Sequence, residues 1–521
     1  SQAIQANVGY MPQRFGLYED LTVAENMALY ADLQAVALAA RASRFEHLLQ
    51  FTGLVPFTGR LAGRLSGGMK QKLGLACTLI HPPRLLLLDE PSVGVDPVSR
   101  RELWQIVETL VGEGMSVLWS TAYLDEAERC QDVILLSKGR LLDQGPPEQF
   151  RARARGRTFA FATEAAQRRP VLRAVRRQPG VVDALIKGRD VRVLLAKTAD
   201  PADLARAGAA LGVTLRPVEP VFEDAFVALL RDRPAAPAAA EAHAALGASP
   251  AVSDPVDPSS APTKVNGHDV GPVIEVADLV RAFGTFRAVD GISFAVTGGE
   301  IFGLLGPNGA GKSTTFKMLC GLLPPSDGKA LVLGIDLRRA AAAARGRIGY
   351  MAQKFSLYGN MSVLQNLGFF ASAYGLAGPT KQAKIEASLD EFALRPFADA
   401  ESGELPLGYK QRLALACALM HEPGVLFLDE PTSGVDPLAR REFWARINGM
   451  AATGMTVMVT THFMDEAEYC DRIGIIYRGR LVATGPPDEL KAAGATPGHP
   501  EPTLESAFID LIEDYDRAHP Q

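Results

Sequence analysis

No stretch of the chain approaches the roughly 18 consecutive apolar residues that a membrane-crossing helix requires, so no helical span is read from it. No signal-peptide pattern follows Ser1, and the expectation is a soluble, cytosolic protein that serves a membrane, if it does so, from the surface. Cysteines are few and include no CxxC pair. The five are Cys77, Cys130, Cys320, Cys417 and Cys470, a count and spacing that exclude a disulfide framework or a zinc ribbon and favour buried, reduced thiols. A dominant charge sign is also missing. Against 59 acidic residues stand 54 Lys and Arg, and the net charge of −5 argues against a surface built for nucleic acid. Aromatics vanish between residues 234 and 272, where seven Pro and eleven Ala mark a disordered linker.

What the chain has in abundance is repetition. "VGYMPQRFGLYEDLTVAEN" at 8 returns as "IGYMAQKFSLYGNMSVLQN" at 348, and "LLLLDEPSVGVDPVSRRELW" at 85 as "VLFLDEPTSGVDPLARREFW" at 425. The offset is 340 residues throughout, so the chain holds two copies of one domain. They are unequal at their starts. Residues 273 to 347 precede the shared part of the second copy, and their counterparts would fall before residue 1, so the first copy is expected to lack its front portion here. The expected organisation is a first domain over 1–150, a small α+β domain over 151–233, the linker over 234–272, a complete second domain over 273–490 and a tail helix over 491–521. Within the small domain "RTFAFAT" and "DVRVLLA" have strand character, and "PADLARAGAALG" reads as a helix stopped by Gly212. Residues 151–177 carry nine Arg against one acid, Glu164, which reads as a solvated basic face or, more sharply, as a contact for anionic lipid.

The chemistry lies mainly in the second copy. Gly306-Pro307-Asn308-Gly309-Ala310-Gly311-Lys312-Ser313, followed by Thr314, fits GxxxxGK[ST], with the strand-like "EIFGLL" before it and a helical run after it. Glycines in such a loop let backbone N–H groups turn toward phosphate oxygens, and the helix N-terminus adds positive potential. Lys312 would reach the β and γ phosphates, and Ser313 would ligate Mg2+. An accidental glycine loop would not come with that strand–loop–helix context. "GVLFLDEP" then delivers Asp429 from a buried strand to the Mg2+ water shell, and Glu430 follows as a candidate general base for the attacking water.

Together with "LSGGMKQK" at 65, the glutamine segment around Gln353, "GVDP" at 94 and 434 and "TTH" at 460, these motifs resemble the nucleotide-binding domains of ABC transporters over nearly all of both copies. "LYEDLTVAEN" and "DEAE" resemble the drug-resistance exporters that work with ABC-2-type permeases. The resemblance implies an α/β fold of two tandem P-loop NTPase domains with helical subdomains, ATP and Mg2+ as cofactors, and an ATPase peripheral to the cytoplasmic face of the bacterial inner membrane. It implies two permease subunits as partners, with the two copies pairing inside one chain. Residue by residue, Phe283 matches the aromatic that stacks on adenine. Gln353 matches the glutamine that senses Mg2+ and γ-phosphate, His462 the switch histidine, and Asp436 the residue linking the two sites. Ser66, Gly67 and Gly68 match the signature that meets γ-phosphate across a dimer, and the Tyr358 region the surface that receives permease helices.

The two composite sites expected from this are unequal. One combines Phe283, Lys312, Ser313, Gln353, Asp429, Glu430 and His462 with Ser66-Gly67-Gly68 and is complete. The other has Gln13, Asp89 and Glu90, but Ala122 stands where the histidine belongs, and Pro406 and Leu407 replace the signature serine and first glycine. Proline offers neither hydroxyl nor N–H. With each charge-assisted bond worth roughly 1.5–3 kcal/mol, losing two or three would slow turnover by several powers of ten. The expectation is one hydrolytic and one degenerate site. Soluble ribosome-associated tandem ATPases and sugar-importer ATPases are the alternative readings.

Overall fold

The structure, a computed structural model, describes residues 7–13, 16–137, 139–232, 271–353, 356–495 and 502–519. Two compact units are present, Ser1–Ala122 with Pro307–Gly309, and Tyr123–Gly306 with Ala310–Gln521.

In the first unit the order is β1 (Val8–Met11), α1 (Val23–Leu33), α2 (Leu38–Phe51), α3 (Gly67–Thr78), β2 (Leu85–Asp89), α4 (Pro97–Gly112) and β3 (Ser116–Ser120). The strands pair in parallel in the order β1-β2-β3, with Asp89 opposite Ser120 at the sheet end. Side-chain caps start the helices. Thr22 and Glu25 form a reciprocal box at α1, the Ser66 hydroxyl accepts from Met69 N at α3, and the Asp96 carboxylate accepts from Ser99 N at α4. Met27, Leu73, Leu86 and Leu103 belong to the core beneath.

The second unit opens with α5 (Leu124–Ala127), the antiparallel pair β4 (Val133–Ser137) and β5 (Arg140–Gly145), and α6 (Pro147–Ala152). A four-stranded antiparallel sheet follows: β6 (Thr158–Ala162), α7 (Arg168–Arg176), β7 (Val181–Lys187), β8 (Asp190–Leu195), α8 (Pro201–Ala209) and β9 (Leu215–Pro217), with α9 (Phe222–Arg231) after it. The spatial order β7-β8-β6-β9 of this βαββαβ segment is that of a ferredoxin-like fold. Most arginines of the basic stretch have partners. Arg151 and Arg155 pair with Glu148, Arg153 with Asp143, Arg157 with Asp232, and Arg168 and Arg169 with Asp471, while Arg176 donates to Ala184 O. Arg157 and Arg168 are buried in these pairs, whereas Arg153, Arg155 and Arg177 stay exposed, so the stretch divides between internal ties and solvated positive charge. The linker expected at 234–272 lies outside the described residues apart from Gly271 and Pro272.

The remainder of this unit holds β10 (Ile274–Phe283), β11 (Phe286–Val296), β12 (Ile301–Leu305), α10 (Lys312–Leu319), β13 (Asp327–Val332), β14 (Ile335–Asp336) and α11 (Leu337–Arg345). Next come β15 (Ile348–Met351), α12 (Val363–Ala373), α13 (Gly378–Glu391), α14 (Leu407–Leu419), β16 (Val425–Asp429), α15 (Pro437–Ala452), β17 (Thr456–Thr460) and α16 (Met464–Ala467). The chain closes with β18 (Arg472–Tyr477), β19 (Arg480–Gly485), α17 (Pro487–Ala493) and α18 (Leu504–Ala518). Among the described residues, one antiparallel sheet runs β11-β10-β13-β14 and a mostly parallel one runs β15-β16-β17-β12-β18-β19. The strands β12, β16 and β17 are buried from end to end, as continuous apolar runs in a parallel sheet covered on both faces must be. The ferredoxin-like sheet is fastened to this part of the unit. Arg441 on α15 pairs with Asp183 and, at 2.7 Å, with Glu223, and Gly188 N donates to Glu468 O at 2.9 Å.

Candidate functional site

Parallel strands carry their loops out at one end, and in repeat two that end gathers the chemistry. The strand β12 runs into the glycine loop, β15 into Gln353, β16 into Asp429 and Glu430, and β17 into Thr460 and His462. Gly311, at φ +109°, starts α10, and a Cβ there would stand 2.5 Å from Ala288 O. Lys312 is buried, and its ammonium donates to Gly306 O at 2.6 Å. The Ser313 hydroxyl lies 3.5 Å from Asp429 Oδ1, at the limit of a hydrogen bond.

A cage of short bonds holds the two carboxylates. The Thr460 hydroxyl donates to Asp429 Oδ1 at 2.6 Å, and Glu430 N donates back to Thr460 Oγ1 at 3.0 Å and to Thr460 O at 3.1 Å. Gln353 Nε2 donates to Glu430 Oε2 at 2.7 Å. Glu430 sits at φ +47°, in the left-handed region, a strain that persists where the surroundings over-determine it. His462 is 3% exposed. Its Nδ1 is 3.2 Å from Glu430 Oε2 but off the line of a hydrogen bond, and Nε2 has no partner among the described residues.

The electrostatics separate the carboxylates. Burial works against the Glu430 charge, but the His462 ring, Lys312 and the Gln353 bond outweigh it and hold the carboxyl at about 2. For Asp429 burial wins, reinforced by the neighbouring Glu430 charge and opposed by the Thr460 bond, and its value is raised. Glu430 is therefore ionised throughout the neutral range, as a proton acceptor must be.

Not every expected residue is part of this cluster. Phe283 ends β10 with 49% of its surface exposed, and the Arg281 guanidinium stands 4.6 Å from its ring centroid. Ser66, Gly67 and Gly68 lie in the first unit, where the serine caps α3. Pro406, at the matching position of repeat two, starts α14 with no side-chain cap. Repeat one keeps its own cage. Gln13 Nε2 donates to Glu90 Oε2 at 2.7 Å, Ser120 Oγ to Asp89 Oδ1 at 2.6 Å, and Glu90 N to Ser120 O at 3.0 Å, with Glu90 at φ +46°. Sequence reasoning gave Thr460 no role. The available signal was its place as last residue of one strand beside Asp429, last residue of the next.

The sequence profile of the ABC transporter family matches residues 1–93 and 289–433. The probable multidrug ABC transporter ATP-binding protein YbhF of Escherichia coli strain K12 is 56% identical over 517 residues, covering 99% of this chain and 86% of that protein. The Nod factor export ATP-binding protein I of Burkholderia lata is 44% identical over 218 residues, 42% of this chain and 72% of its own length. A solved ATP binding subunit of an ABC transporter aligns with 46% of this chain and 99% of its own at 30% identity and a TM-score of 0.42.

Proposed function

This chain belongs to the ABC transporter family of ATP-binding proteins, and from that premise we propose that it is the energy-coupling ATPase of an ABC-2-type exporter, run by one complete ATP site. The observation that carries the reading is the cage of repeat two, where an ionised Glu430 sits beside a buried His462 whose Nε2 has no partner among the described residues. A buried polar atom without a partner is costly, and a γ-phosphate oxygen would satisfy it.

In this reading the Gly306–Thr314 backbone and the α10 N-terminus bind the phosphates, and Lys312 exchanges its bond to Gly306 O for phosphate oxygens. Ser313, Asp429 and Gln353 offer hard oxygen donors, a set that fits Mg2+ completed by phosphates and water. Bound Mg2+ would neutralise phosphate charge. Glu430 takes the proton of the attacking water, Gln353 orients that carboxylate, and Phe283 stacks on the adenine. Ser66, Gly67 and Gly68 close the site from repeat one, and the site with Ala122, Pro406 and Leu407 at most holds nucleotide.

Both named relatives are described as transport proteins, one as multidrug and one as an exporter, and that supports efflux over the ribosomal alternative. On the helical part of repeat two Tyr358 and Phe369 are both exposed and meet edge to face at 4.9 Å, an apolar patch suited to helices of two permease subunits. No described helix is long and apolar enough to cross a membrane. The proposed place is the cytoplasmic face of the bacterial inner membrane, through those partners. The domain limits 1–150, 151–233, 234–272, 273–490 and 491–521 are part of the proposal. In the test, Mg2+-dependent ATP hydrolysis by the full chain falls about 100-fold or more in Lys312→Ala. The chain is also expected to co-purify from its native membrane with two polytopic proteins. Near-normal turnover in that variant, or ribosomal RNA in place of membrane proteins, overturns the reading.

A further inference from the structure

Behind His462 lies a buried polar cluster to which hydrolysis assigns no work. Glu466 on α16 accepts from the Thr432 hydroxyl and, at 2.8 Å, from the Thr461 hydroxyl, and its Oε1 lies 3.5 Å from Arg440 Nε. Thr461 Oγ1 also accepts from Phe463 N at 3.0 Å. Thr432 follows Glu430 by two residues, and Thr461 and Phe463 flank His462. One carboxylate thus ties the segment leaving the general base to the segment carrying the histidine.

The same cluster reaches a residue of repeat one. The Arg440 guanidinium stands 5.4 Å from the Phe463 ring centroid and 5.2 Å from that of Tyr123, and the two rings are 4.8 Å apart. Tyr123 is fully buried, follows Ala122 as Phe463 follows His462, and lies in the second compact unit. Two aromatic faces and one carboxylate stabilise the buried cation in a single place. The His462 ring in turn packs on Phe463, with centroids 4.0 Å apart.

We propose that Tyr123, Arg440 and Glu466 are positioning residues for the repeat-two reaction. They hold His462 in fixed relation to Glu430, so the repeat that lost its own histidine at 122 still supplies, one residue later, part of the scaffold of the complete site. This also accounts for a repeat that keeps "AYLDEAE" after the imidazole is gone. The inference rests on repeat two being the hydrolytic site.

The test uses the full chain, with Mg2+-ATP turnover, binding of a fluorescent ATP analogue and thermal unfolding measured side by side. Tyr123→Leu keeps a buried apolar group, though a smaller one, and loses the π face, and Tyr123→Ala removes nearly all of the side chain. Each is expected to lower kcat about 10-fold while KM and analogue affinity stay within about twofold, and the unfolding midpoint falls further for alanine than for leucine. Tyr123→Phe, which keeps the ring, runs within about twofold of the parent, and Glu466→Gln falls with the leucine variant. Full turnover in both Tyr123→Leu and Tyr123→Ala overturns the proposal, as does a loss shared equally by Phe, or a fall of affinity and kcat together. Lys312→Ala run alongside separates the failures. If it is inactive while the Tyr123 variants are not, the positioning role alone is wrong. If it hydrolyses normally, the hydrolytic reading is wrong.

Discussion

In repeat two, β17 is buried along its whole length; in repeat one its counterpart β3 alternates, with Leu118 57% exposed. In repeat two β12 lies between β17 and β18 and pairs in parallel with both, while in repeat one β1-β2-β3 and β4-β5 are separate sheets. The counterpart of β12 would precede residue 1 of the given sequence, so only the strands present in both repeats are comparable. Yet the carboxylate cage is the same in both, with the Gln13–Glu90 bond matching the Gln353–Glu430 bond at 2.7 Å. The cage is a property of three adjacent strand ends. Repeat two adds β12, its glycine loop and His462 to that cage.

The comparison can be broken most directly at the loop. Lys312→Ala is expected to cost about 100-fold or more in turnover, against less than about twofold for Glu90→Gln in repeat one; equal losses, read by phosphate release, would make the repeats equivalent. Glu430→Gln is expected to lower kcat by roughly 10²- to 10³-fold while ATP binding, followed by fluorescence, persists. His462→Ala should cost about 10- to 100-fold, whereas Ala122→His should change turnover by less than about twofold, since in the proposed reading Pro406 still denies the degenerate site its donor. A rescue by Ala122→His alone would show that the histidine was the limiting loss. Thr460→Val removes the bond to the Asp429 carboxylate and the one accepted from Glu430 N, and should destabilise by roughly 1–3 kcal/mol, while Thr460→Ser, which imports the residue of position 120, should cost well under half of that. Urea unfolding of the two variants decides it. Smallest of all, Pro406→Ser should restore the cap that Ser66 provides and add up to about 1 kcal/mol.

Much of the site was legible in the chain because its parts are local. A loop of glycines between a strand and a helix, and a carboxylate pair at the end of an apolar run, can bind in few other ways. Arg157 and Arg168 show the opposite. Their partners Asp232 and Asp471 are distant in sequence, so no spacing reveals that these two are drawn into the interior. Thr460 was overlooked because its work depends on lying beside Asp429, a matter of register between strands that no spacing records.

The order of residues by itself determined the duplication, the phosphate loop and the uneven inheritance of histidine, proline and glycine between the copies, since each is written in contiguous motifs. Tertiary structure alone decided that Glu430 is held ionised at a strained turn, that Arg157 and Arg168 are drawn to acids distant in the chain, and that Tyr123 packs on Phe463, the neighbour of His462. Those outcomes depend on which distant groups share a low-dielectric neighbourhood, and proximity of that kind is created only when the chain folds.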